Sequence, residues 1–419
     1  MTPRALTAVY VSLLAFAIAL RLFFVAAIPV AAPSVAHRLE SLNDEPSHYN
    51  YIKHLATHRT FPVQTHHALE PGAVVLGNFE YWQPPLYHLI CAPIYAAAGE
   101  RTGLYLCRLV SFLFGVLTLI VLARVLSLLD CPLSARRLAV VFVALLPPHI
   151  YFTSVVSNDS LSWLISLLLT RELLLILPGA GEKPKIPRAG SHVRTGLLLG
   201  LGLLTKGGLA IFYPVILAVD AYLAWRTKRA GVLVGGLLGL VLSTTLAAPW
   251  YARNLSVYGS LFALEVGFGP VHPEQASLAG IYHTIGGTIR FFWFPMSHIQ
   301  PLAIVKVIRS WGGFIALLHT LAAAWYVRRF GLDLRGWALA LLLALAIAAH
   351  FRLNFIWGEA EARFLYPALA SIAFFFVLPA YAFLSRFRSG EALAWTWVVL
   401  AVLHPWILLL FASPVPLFT

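Results

Sequence analysis

Two adjacent carboxylates, Asp44 and Glu45, follow the first long apolar run of the chain and open a segment rich in aromatic and polar side chains that ends at His54. The chain has only 17 acidic residues among 419, so a pair at this place indicates chemistry. A carboxylate in a partly dry cleft can act as a general base toward a hydroxyl, with a pKa set by burial and neighbours. The alternative is helix capping, in which Asn43 or Asp44 is the N-cap and the acidic first turn complements the helix dipole.

The composition requires a lipid environment. Hydrophobic residues make up 60% and charged residues 11%, with a mean hydropathy of +0.80, whereas soluble domains average roughly 45–50% apolar and about 25% charged. The net charge of +13 comes from basic residues dispersed between apolar runs, which favours membrane topology over nucleic-acid binding. The three cysteines have neither metal-site nor disulfide-framework spacing (Cys91, Cys107 and Cys131).

The apolar runs predict an all-α polytopic membrane protein with about 11 transmembrane helices and a single transmembrane domain over residues 1–419. The first span covers Ala5–Ile28 and precedes a long loop, 29–103, in which interfacial helices are expected near Glu45 and over Pro85–Ala98. Later spans are expected at Tyr105–Leu129, Arg137–Phe152, Leu161–Leu177, Thr195–Leu204, Gly208–Trp225, Val232–Ala248, Gly312–Tyr326, Gly336–His350, Phe364–Phe383 and Ala394–Phe411. Ten residues cannot cross the bilayer as a helix, so a hairpin of unequal helices or a broken segment is expected around Lys206.

Lysine and arginine in alternate loops place the N-terminus in the cytoplasm. The long loop with Asp44, the Asn158–Asp159 pair, Lys206 and the segments 250–301 and 359–363 then all face outward. Charges near a bilayer are costly and usually mark substrate or ion paths. The outer face is therefore where chemistry is expected.

At this point the chain resembles the GT-C class of glycosyltransferases, and within it the branch of protein O-mannosyltransferases and lipid A aminoarabinose transferases. The Asp-Glu pair after the first span carries the resemblance together with six further motifs in the family's order. These are Tyr81-Trp82-Gln83-Pro84-Pro85-Leu86-Tyr87, Arg108-Leu109-Val110-Ser111, Ser157-Asn158-Asp159, Leu204-Thr205-Lys206-Gly207, Pro249-Trp250-Tyr251-Ala252-Arg253-Asn254 and Glu361-Ala362-Arg363-Phe364-Leu365-Tyr366-Pro367. The likeness covers roughly residues 5–370 and implies a GT-C-like helical bundle.

The resemblance implies that Asp44 activates the acceptor, with Glu45 as its assistant or structural partner. A second acidic position of the family matches Asp159, which would orient the acceptor or tune Asp44. An Asn-Asp N-cap for the following helix is the alternative for Asp159, and both can hold.

The family's donor is a sugar on a polyprenyl monophosphate, whose departing phosphate needs cations already in place. The candidates are Lys206, Arg363, Arg253 and Arg108; snorkelling to the interface is the alternative for each. Aminoarabinose transferases typically carry Lys before the Pro-Pro pair, and this chain has Gln83 there, which leaves phosphate binding to the other candidates.

Sugar or acceptor contacts are expected from five side chains: Tyr81, Trp82, Gln83, Tyr87 and Glu361. The aromatic ones also fit an interfacial belt. His54 and His58 stand at i and i+4, with His66 and His67 nearby, and two histidines on one helical face suit a divalent ion. The Glu of a zinc-protease motif is missing between them, so we expect exposed loop histidines, no metal site and no cofactor, although a divalent cation remains open.

The sequence hypothesis is therefore inverting single-displacement transfer of a sugar from a polyprenyl monophosphate on the extracytoplasmic face of a bacterial or archaeal plasma membrane. The partners would be the lipid-linked donor, membrane lipids and an acceptor glycan, lipid or protein, without nucleic acid or a nucleotide site. Two rivals stay open: a lipid or glycolipid transporter (flippase), and a non-catalytic membrane subunit. The hypothesis requires Asp44, Lys206 and Arg363 to share one cavity.

Overall fold

The structure is a computed structural model that describes residues 3–28, 44–65, 78–184, 186–269, 271–294, 302–358 and 360–412. These ranges are helical and contain no strand. The helices are α1 (Pro3–Ala27), α2 (Glu45–His58), α3 (Leu86–Ser127), α4 (Leu133–Leu145), α5 (Pro147–Phe152), α6 (Asp159–Ile176), α7 (Ala189–Leu203), α8 (Phe212–Thr227), α9 (Ala230–Tyr258), α10 (Leu264–Phe268), α11 (Leu278–Trp293), α12 (Leu302–Phe330), α13 (Leu334–Trp357), α14 (Leu369–Leu384) and α15 (Gly390–Ala412). Short 3₁₀ segments lie at Gly207–Ile211, Pro273–Gln275 and Ala362–Ala368.

Seven helical segments of the described chain are long and apolar enough to cross a membrane. They are Arg4–Ala27, Leu86–Ser127, Gly207–Thr227, Ala230–Tyr258, Lys306–Phe330, Leu334–Trp357 and Ala362–Leu384. This confirms the all-α membrane class. The number of about 11 spans stays a prediction, because the seven segments are a count over the described residues alone.

The first long loop contains the two helices that the sequence predicts. α2 begins at Glu45 with Asp44 at the N-cap and a proline in its first turn; Asn43, the other candidate cap, lies outside the described residues. The second helix, Leu86 onward, continues into the next span, and only Gly99 interrupts it with a left-handed φ of 74°. Glycine adopts this conformation at low cost, so two helical stretches meet at a kink there.

Two further breaks bring loop residues to one place. Leu146 is extended ahead of Pro147 and separates α4 from α5, because a residue before proline avoids the helical region. The chain then turns back through 153–158 into α6. Between α7 and α8 the backbone is extended at Lys206 and continues as a 3₁₀ turn, which confirms the predicted broken segment.

Segment 250–301 contains helices that the expected spans do not include. The helix expected over Val232–Ala248 continues through Pro249 to Tyr258, and α11 forms between that helix and the next expected span. The outward orientation of the segment stays a prediction. α11 is amphipathic: Gly280, Thr284 and Gly287 are buried, whereas Leu278 and Tyr282 are exposed. The helix is only 16 residues long, and its glycine and threonine residues lower its mean hydropathy. The apolar pattern of the sequence therefore did not predict it.

The helices pack closely where small residues face each other. α7 lies against α9 so that a Cβ at Gly196 would come within 2.4 Å of the Gly239 carbonyl oxygen. Such small-residue contacts let membrane helices approach each other. On the other side, Leu238 and Val241 of α9 are 64% and 60% exposed, as expected for a face that meets lipid.

Candidate active site

One cavity lies where the bent and broken segments meet. Its volume is about 380 Å³, which is enough for a sugar-sized group with part of a lipid. It is lined by the N-cap of α2, the loop before α3, the start of α6, the Lys206 break, the loops around α10, one face of α13 and the segment 361–367. Its charged lining residues are Asp44, Glu80, Asp159, Lys206, Arg352, Glu361 and Arg363.

Arg363 stands at the centre of the charged wall. Its Nη2 lies 2.7 Å from Oδ2 of Asp44, and its Nη1 lies 3.3 Å from Oδ2 of Asp159. Its Nε forms a third ion pair with Glu361, and the guanidinium covers the ring of Phe152 at 4.8 Å. Five N–H donors in a rigid planar fork allow one arginine to join carboxylates from three distant parts of the chain.

Lys206 completes the cluster. Its ammonium group forms an ion pair with Oδ1 of Asp159, and the lysine side chain is 17% exposed to the cavity. Burial raises the pKa of Glu361, because a desolvated carboxyl group ionises less readily. The carboxylates of Asp44 and Asp159 raise it further, whereas Arg363 opposes the shift. Asp44, Lys206 and Arg363 therefore share one cavity, as the sequence hypothesis requires.

Glu45 faces away from this cavity. Arg108 donates from Nε and Nη2 to its two oxygens at 2.7 and 2.6 Å, and the Val156 amide donates to it at 2.8 Å. Arg108 also donates to the carbonyls of Val25 and Ile28, at 3.0 and 2.9 Å. The pair is buried and ties the end of α1 to α2, α3 and the segment before α6, so the structure separates Glu45 and Arg108 from the cavity residues.

Arg253 also lies outside the lining of the cavity. Its Nη2 donates to the Pro62 carbonyl at 2.5 Å, and its guanidinium covers the Trp250 ring at 4.7 Å. Of the four cations expected at the donor phosphate, the structure brings Lys206 and Arg363 together. A direct phosphate contact by Arg253 or Arg108 has no geometric support in the described residues.

The aromatic candidates divide in the same way. Trp82 and Gln83 line the cavity, and the buried indole N–H of Trp82 has no hydrogen-bond partner in the described chain. Tyr81 instead packs edge-on against Tyr51 with ring centroids 5.5 Å apart, and Tyr87 is buried with its hydroxyl 2.6 Å from Ser111. These two tyrosines lie behind the cavity wall.

Gln83 belongs to a buried polar network. Its amide nitrogen donates to Glu80 and its amide oxygen accepts from Asn158, which also donates to the Thr205 carbonyl at 3.2 Å. The network joins the loop before α3 to the start of α6 and to the Lys206 break. Gln83 thus holds together the elements that carry the charged residues, in addition to lining the cavity.

Sequence reasoning missed three polar residues at or beside the cavity. Glu80 is buried beside Asp44. Burial, and to a smaller extent the Asp44 carboxylate, raise the pKa of Glu80 well above its usual range. His48 lies one helical turn after Asp44, and burial lowers its pKa to about 3. Arg352 of α13 is exposed and has no ion-pair partner among the described residues. Glu80 lies three residues before Gln83, and His48 lies four residues after Asp44. Their closeness in sequence to these motif residues was the signal that could have identified them.

No protein-family model matches the chain. A segment of 203 residues, 48% of the chain, is 28% identical to the undecaprenyl phosphate-alpha-4-amino-4-deoxy-L-arabinose arabinosyl transferase of Pseudomonas aeruginosa strain UCBPP-PA14. A segment of 136 residues, 32% of the chain, is 29% identical to the transferase of the same name from Aeromonas salmonicida. The matches span 32% and 24% of these two relatives, so the chain matches about a third or less of their length.

Two solved structures share the fold. ArnT from Cupriavidus metallidurans bound to undecaprenyl phosphate superposes with a TM-score of 0.52 at 15% identity, covering 98% of this chain and 71% of that one. The Archaeoglobus fulgidus oligosaccharyltransferase in complex with Zn and sulfate gives 0.50 at 14% identity, covering 94% and 52%. The comparisons confirm the resemblance to aminoarabinose transferases and the GT-C-like fold. The roles of individual site residues stay predictions.

Proposed function

We propose that this protein is a membrane glycosyltransferase that moves a sugar from a polyprenyl monophosphate donor to an acceptor at the outer face of the membrane. The chain is similar to transferases named for an undecaprenyl phosphate-linked donor and has the fold of ArnT bound to undecaprenyl phosphate. The observation that carries the proposal is the convergence of Asp44, Asp159 and Glu361 on Arg363, with Lys206 adjacent, inside one cavity.

The base is Asp44. Its Oδ2 is held by Arg363, whereas its other carboxylate oxygen has no hydrogen-bond partner among the described residues. The Asp44 side chain is 20% exposed, which places it between Asp159 at 1% and Glu361 at 28% among the three carboxylates paired with Arg363. An accessible oxygen on a carboxylate whose other oxygen is fixed can accept a proton from a positioned hydroxyl or amine.

The donor phosphate is proposed to bind at the cationic side chains. Lys206 and Arg363 are held in place by carboxylates, so their N–H groups are oriented before substrate arrives. Arg352 adds a cation without an ion-pair partner in the described chain. Preorganised donors of this kind stabilise negative charge that develops on a leaving phosphate.

The bond changes follow from this placement. The acceptor oxygen or nitrogen attacks the anomeric carbon while Asp44 takes its proton, and the bond from that carbon to the phosphate oxygen breaks. The electron pair leaves on the polyprenyl phosphate, which Lys206, Arg352 and Arg363 receive. Attack opposite the departing phosphate inverts the anomeric configuration.

The remaining lining fits the other parts of such a donor. Trp82, Phe268 and Phe364 present aromatic surface on which a sugar ring can pack, and Ala346, Ala349 and Leu353 of α13 offer an apolar path toward the lipid-facing side. Asp159 and Glu361 position Arg363 and Lys206. Gln83 maintains the loop that carries Trp82.

The proposed orientation puts the N-terminus in the cytoplasm and the cavity outside, in the plasma membrane of a bacterium or archaeon. Basic residues at the opposite ends of the helices support this orientation. The acceptor, whether glycan, lipid or protein, would enter from the aqueous side of the cavity.

Purified protein in lipid nanodiscs tests the proposal with a radiolabelled polyprenyl monophosphate sugar. Wild-type protein should consume the glycolipid, and Asp44→Asn should not. Asp130→Asn, at an exposed position outside the cavity, is the matched control and should retain full activity. Movement of intact lipid across the bilayer without cleavage would support a flippase, and full activity of Asp44→Asn would exclude this residue as the base.

A further inference from the structure

Asp44 also belongs to a second group of polar side chains beside the cavity. Asp44, His48 and Glu80 each offer a ligand atom, and these atoms lie within 4.8 Å of one another. Asp44 and His48 are one turn apart on α2, with the His48 amide donating to the Asp44 carbonyl at 2.9 Å. The Glu80 amide donates to Ser47 on the same helix at 2.8 Å, which fixes the approach of the third residue.

Each of the three residues has an unused lone pair. His48 is 1% exposed, and its Nδ1 lies 3.0 Å from Nε2 of His88, whereas its other ring nitrogen has no partner among the described residues. When Nδ1 of His48 donates this hydrogen bond, the second nitrogen is an acceptor. A hydrogen bond of this kind is the usual means by which a protein orients a metal-binding imidazole.

The two carboxylates are arranged alike. Asp44 uses Oδ2 for Arg363, and Glu80 uses Oε2 to accept from Gln83. For the other oxygen of each, the described part of the chain supplies no hydrogen-bond donor. A buried imidazole nitrogen and two carboxylate oxygens within 4.8 Å of one another are a donor set that suits a divalent metal ion.

Carboxylates outnumber cationic side chains in the lining of the cavity, with Asp44, Glu80, Asp159 and Glu361 against Lys206, Arg352 and Arg363. Arg363 and Lys206 act on Glu80 as well as on Asp44 and Asp159. Ligand geometry, and not an uncompensated negative charge, therefore favours an ion here.

We propose that Asp44, His48 and Glu80 form a binding site for a divalent transition-metal ion at the edge of the cavity, with open coordination positions toward the substrate space. Two oxygen ligands and one imidazole nitrogen suit Mn²⁺ or Zn²⁺ better than Mg²⁺, which prefers oxygen ligands and retained water. Three protein ligands leave room for a substrate oxygen or water, as at catalytic zinc sites.

The site adds a function to Asp44 without removing the proposed one. A carboxylate has about four lone-pair positions on its two oxygens, so a metal-bound Asp44 can still accept a proton. A contact between the ion and an oxygen of the donor or the acceptor rests on the proposed function. Binding of the ion to the protein does not depend on that function, so binding and transfer activity are measured separately.

The other histidine pair on α2 is a different group. His54 and His58 stack with ring centroids 4.5 Å apart, and their nitrogens contact Thr60 at 3.1 Å and Thr57 at 2.8 Å. They have no third ligand among the described residues, and His66 and His67 lie outside that part of the chain. This pair provides a matched histidine control.

The experiment uses full-length protein in detergent, stripped with EDTA, desalted and titrated with Mn²⁺ alone while electron paramagnetic resonance follows the free ion. Wild-type protein should bind one Mn²⁺ per chain, and Zn²⁺ should displace it. Glu80→Gln and His48→Gln are close in size to the native residues, and each should weaken binding by about tenfold or more, since even outer-sphere partners of a metal contribute about 10–100-fold.

Two controls retain the site. Glu361→Gln removes a carboxylate of the same cavity, and the double variant His54→Ala/His58→Ala removes the other histidine pair; both should bind Mn²⁺ as wild type does. Binding that survives Glu80→Gln and His48→Gln, binding that is lost in the His54/His58 variant, or less than half an ion per wild-type chain overturns the proposal. A Mn²⁺-dependent rise in the unfolding temperature of wild type, absent from Glu80→Gln, gives the same decision if one variant is poorly folded.

Discussion

Asp44 and Glu45 are neighbours in sequence and the same kind of acid, yet the structure gives them opposite surroundings. Glu45 forms a closed two-point pair with Arg108, and both side chains are at most 8% exposed. Asp44 shares Arg363 with Asp159 and Glu361, keeps one oxygen without a partner among the described residues, and borders a cavity. The difference lies in how completely each carboxylate is satisfied.

A fully paired buried carboxylate is a structural element. Removing either member of such a pair leaves an uncompensated charge, which destabilises the fold strongly. A carboxylate that shares its cation and retains a free lone pair can change partners during a reaction. We therefore propose a role in folding for Glu45 with Arg108 and a role in the chemistry for Asp44 with Arg363.

The largest effect is expected from Asp44→Asn. Loss of a general base lowers the transfer rate by about 10²–10⁴-fold, whereas Arg363 keeps two other carboxylates and the fold is maintained. Initial rates with a polyprenyl monophosphate sugar and the unfolding temperature of the same sample test both statements. An unfolding temperature that falls as far as that of a Glu45 variant would remove the distinction between the two residues.

Glu45→Ala should act in the opposite way. Buried Arg108 loses its counter-charge, so the free energy of unfolding falls by about 3–5 kcal/mol, while folded molecules retain transfer activity. Chemical denaturation in detergent and activity per folded molecule measure this. The double variant Glu45→Met with Arg108→Met removes both charges and should recover part of the stability; no recovery would mean that the bonds to Val25, Ile28 and Val156 dominate.

Arg352→Gln sharpens the comparison on the cationic side. Its charge is unpaired in the described chain, and the proposed phosphate contact persists while the phosphate leaves. Its loss should therefore lower kcat/KM for the donor about ten- to a hundredfold through hydrogen bonds to a charged group worth about 1.5–3 kcal/mol. Arg328→Gln, at an exposed position of α12 outside the lining of the cavity, is the control. An unchanged kcat/KM would place Arg352 outside phosphate binding.

Gly267→Ala tests how tightly the aromatic wall is packed. A Cβ at Gly267 would lie 2.3 Å from Cε2 of Trp82, so Trp82 must move; overpacking of this kind costs about 1–3 kcal/mol. Thermal unfolding and the donor KM report the two consequences. Gly231→Ala, which meets no atom within 4 Å, should leave the stability of the protein near that of wild type.

The smallest effect belongs to an exposed ion pair between α2 and α3. Lys53 Nζ lies 2.9 Å from Oε1 of Glu100, and the two side chains are 42% and 67% exposed. Water screens such a pair, so Lys53→Ala should change the free energy of unfolding by no more than about 1 kcal/mol. Chemical denaturation at low and at high salt checks this. A loss of stability comparable to that of Glu45→Ala would show that burial is not what makes the Glu45–Arg108 pair important for stability.

Much of the architecture is predictable from the sequence because it depends on local patterns. Apolar runs predict the helices, the glycine-flanked Lys206 predicts the break between α7 and α8, and acidic residues with a proline predict the start of α2. α11 is missed because its apolar face is diluted by glycine and threonine. The number of spans is not decided by hydropathy, since short and interrupted helices fall below the length of a bilayer crossing.

The sequence by itself determined the membrane class and the helical fold, and it predicted that Asp44, Asp159, Lys206 and Arg363 would lie together, as the structure shows. Only the tertiary structure decided that Glu45 turns inward to Arg108, that Arg253 lies outside the cavity wall, and that Glu80, His48 and Arg352 join the site. Hydropathy and capping act over a few neighbouring residues and can be read along the chain. Which charges meet depends on contacts between segments separated by more than a hundred residues, such as Asp44 with Arg363, and no local pattern contains that information.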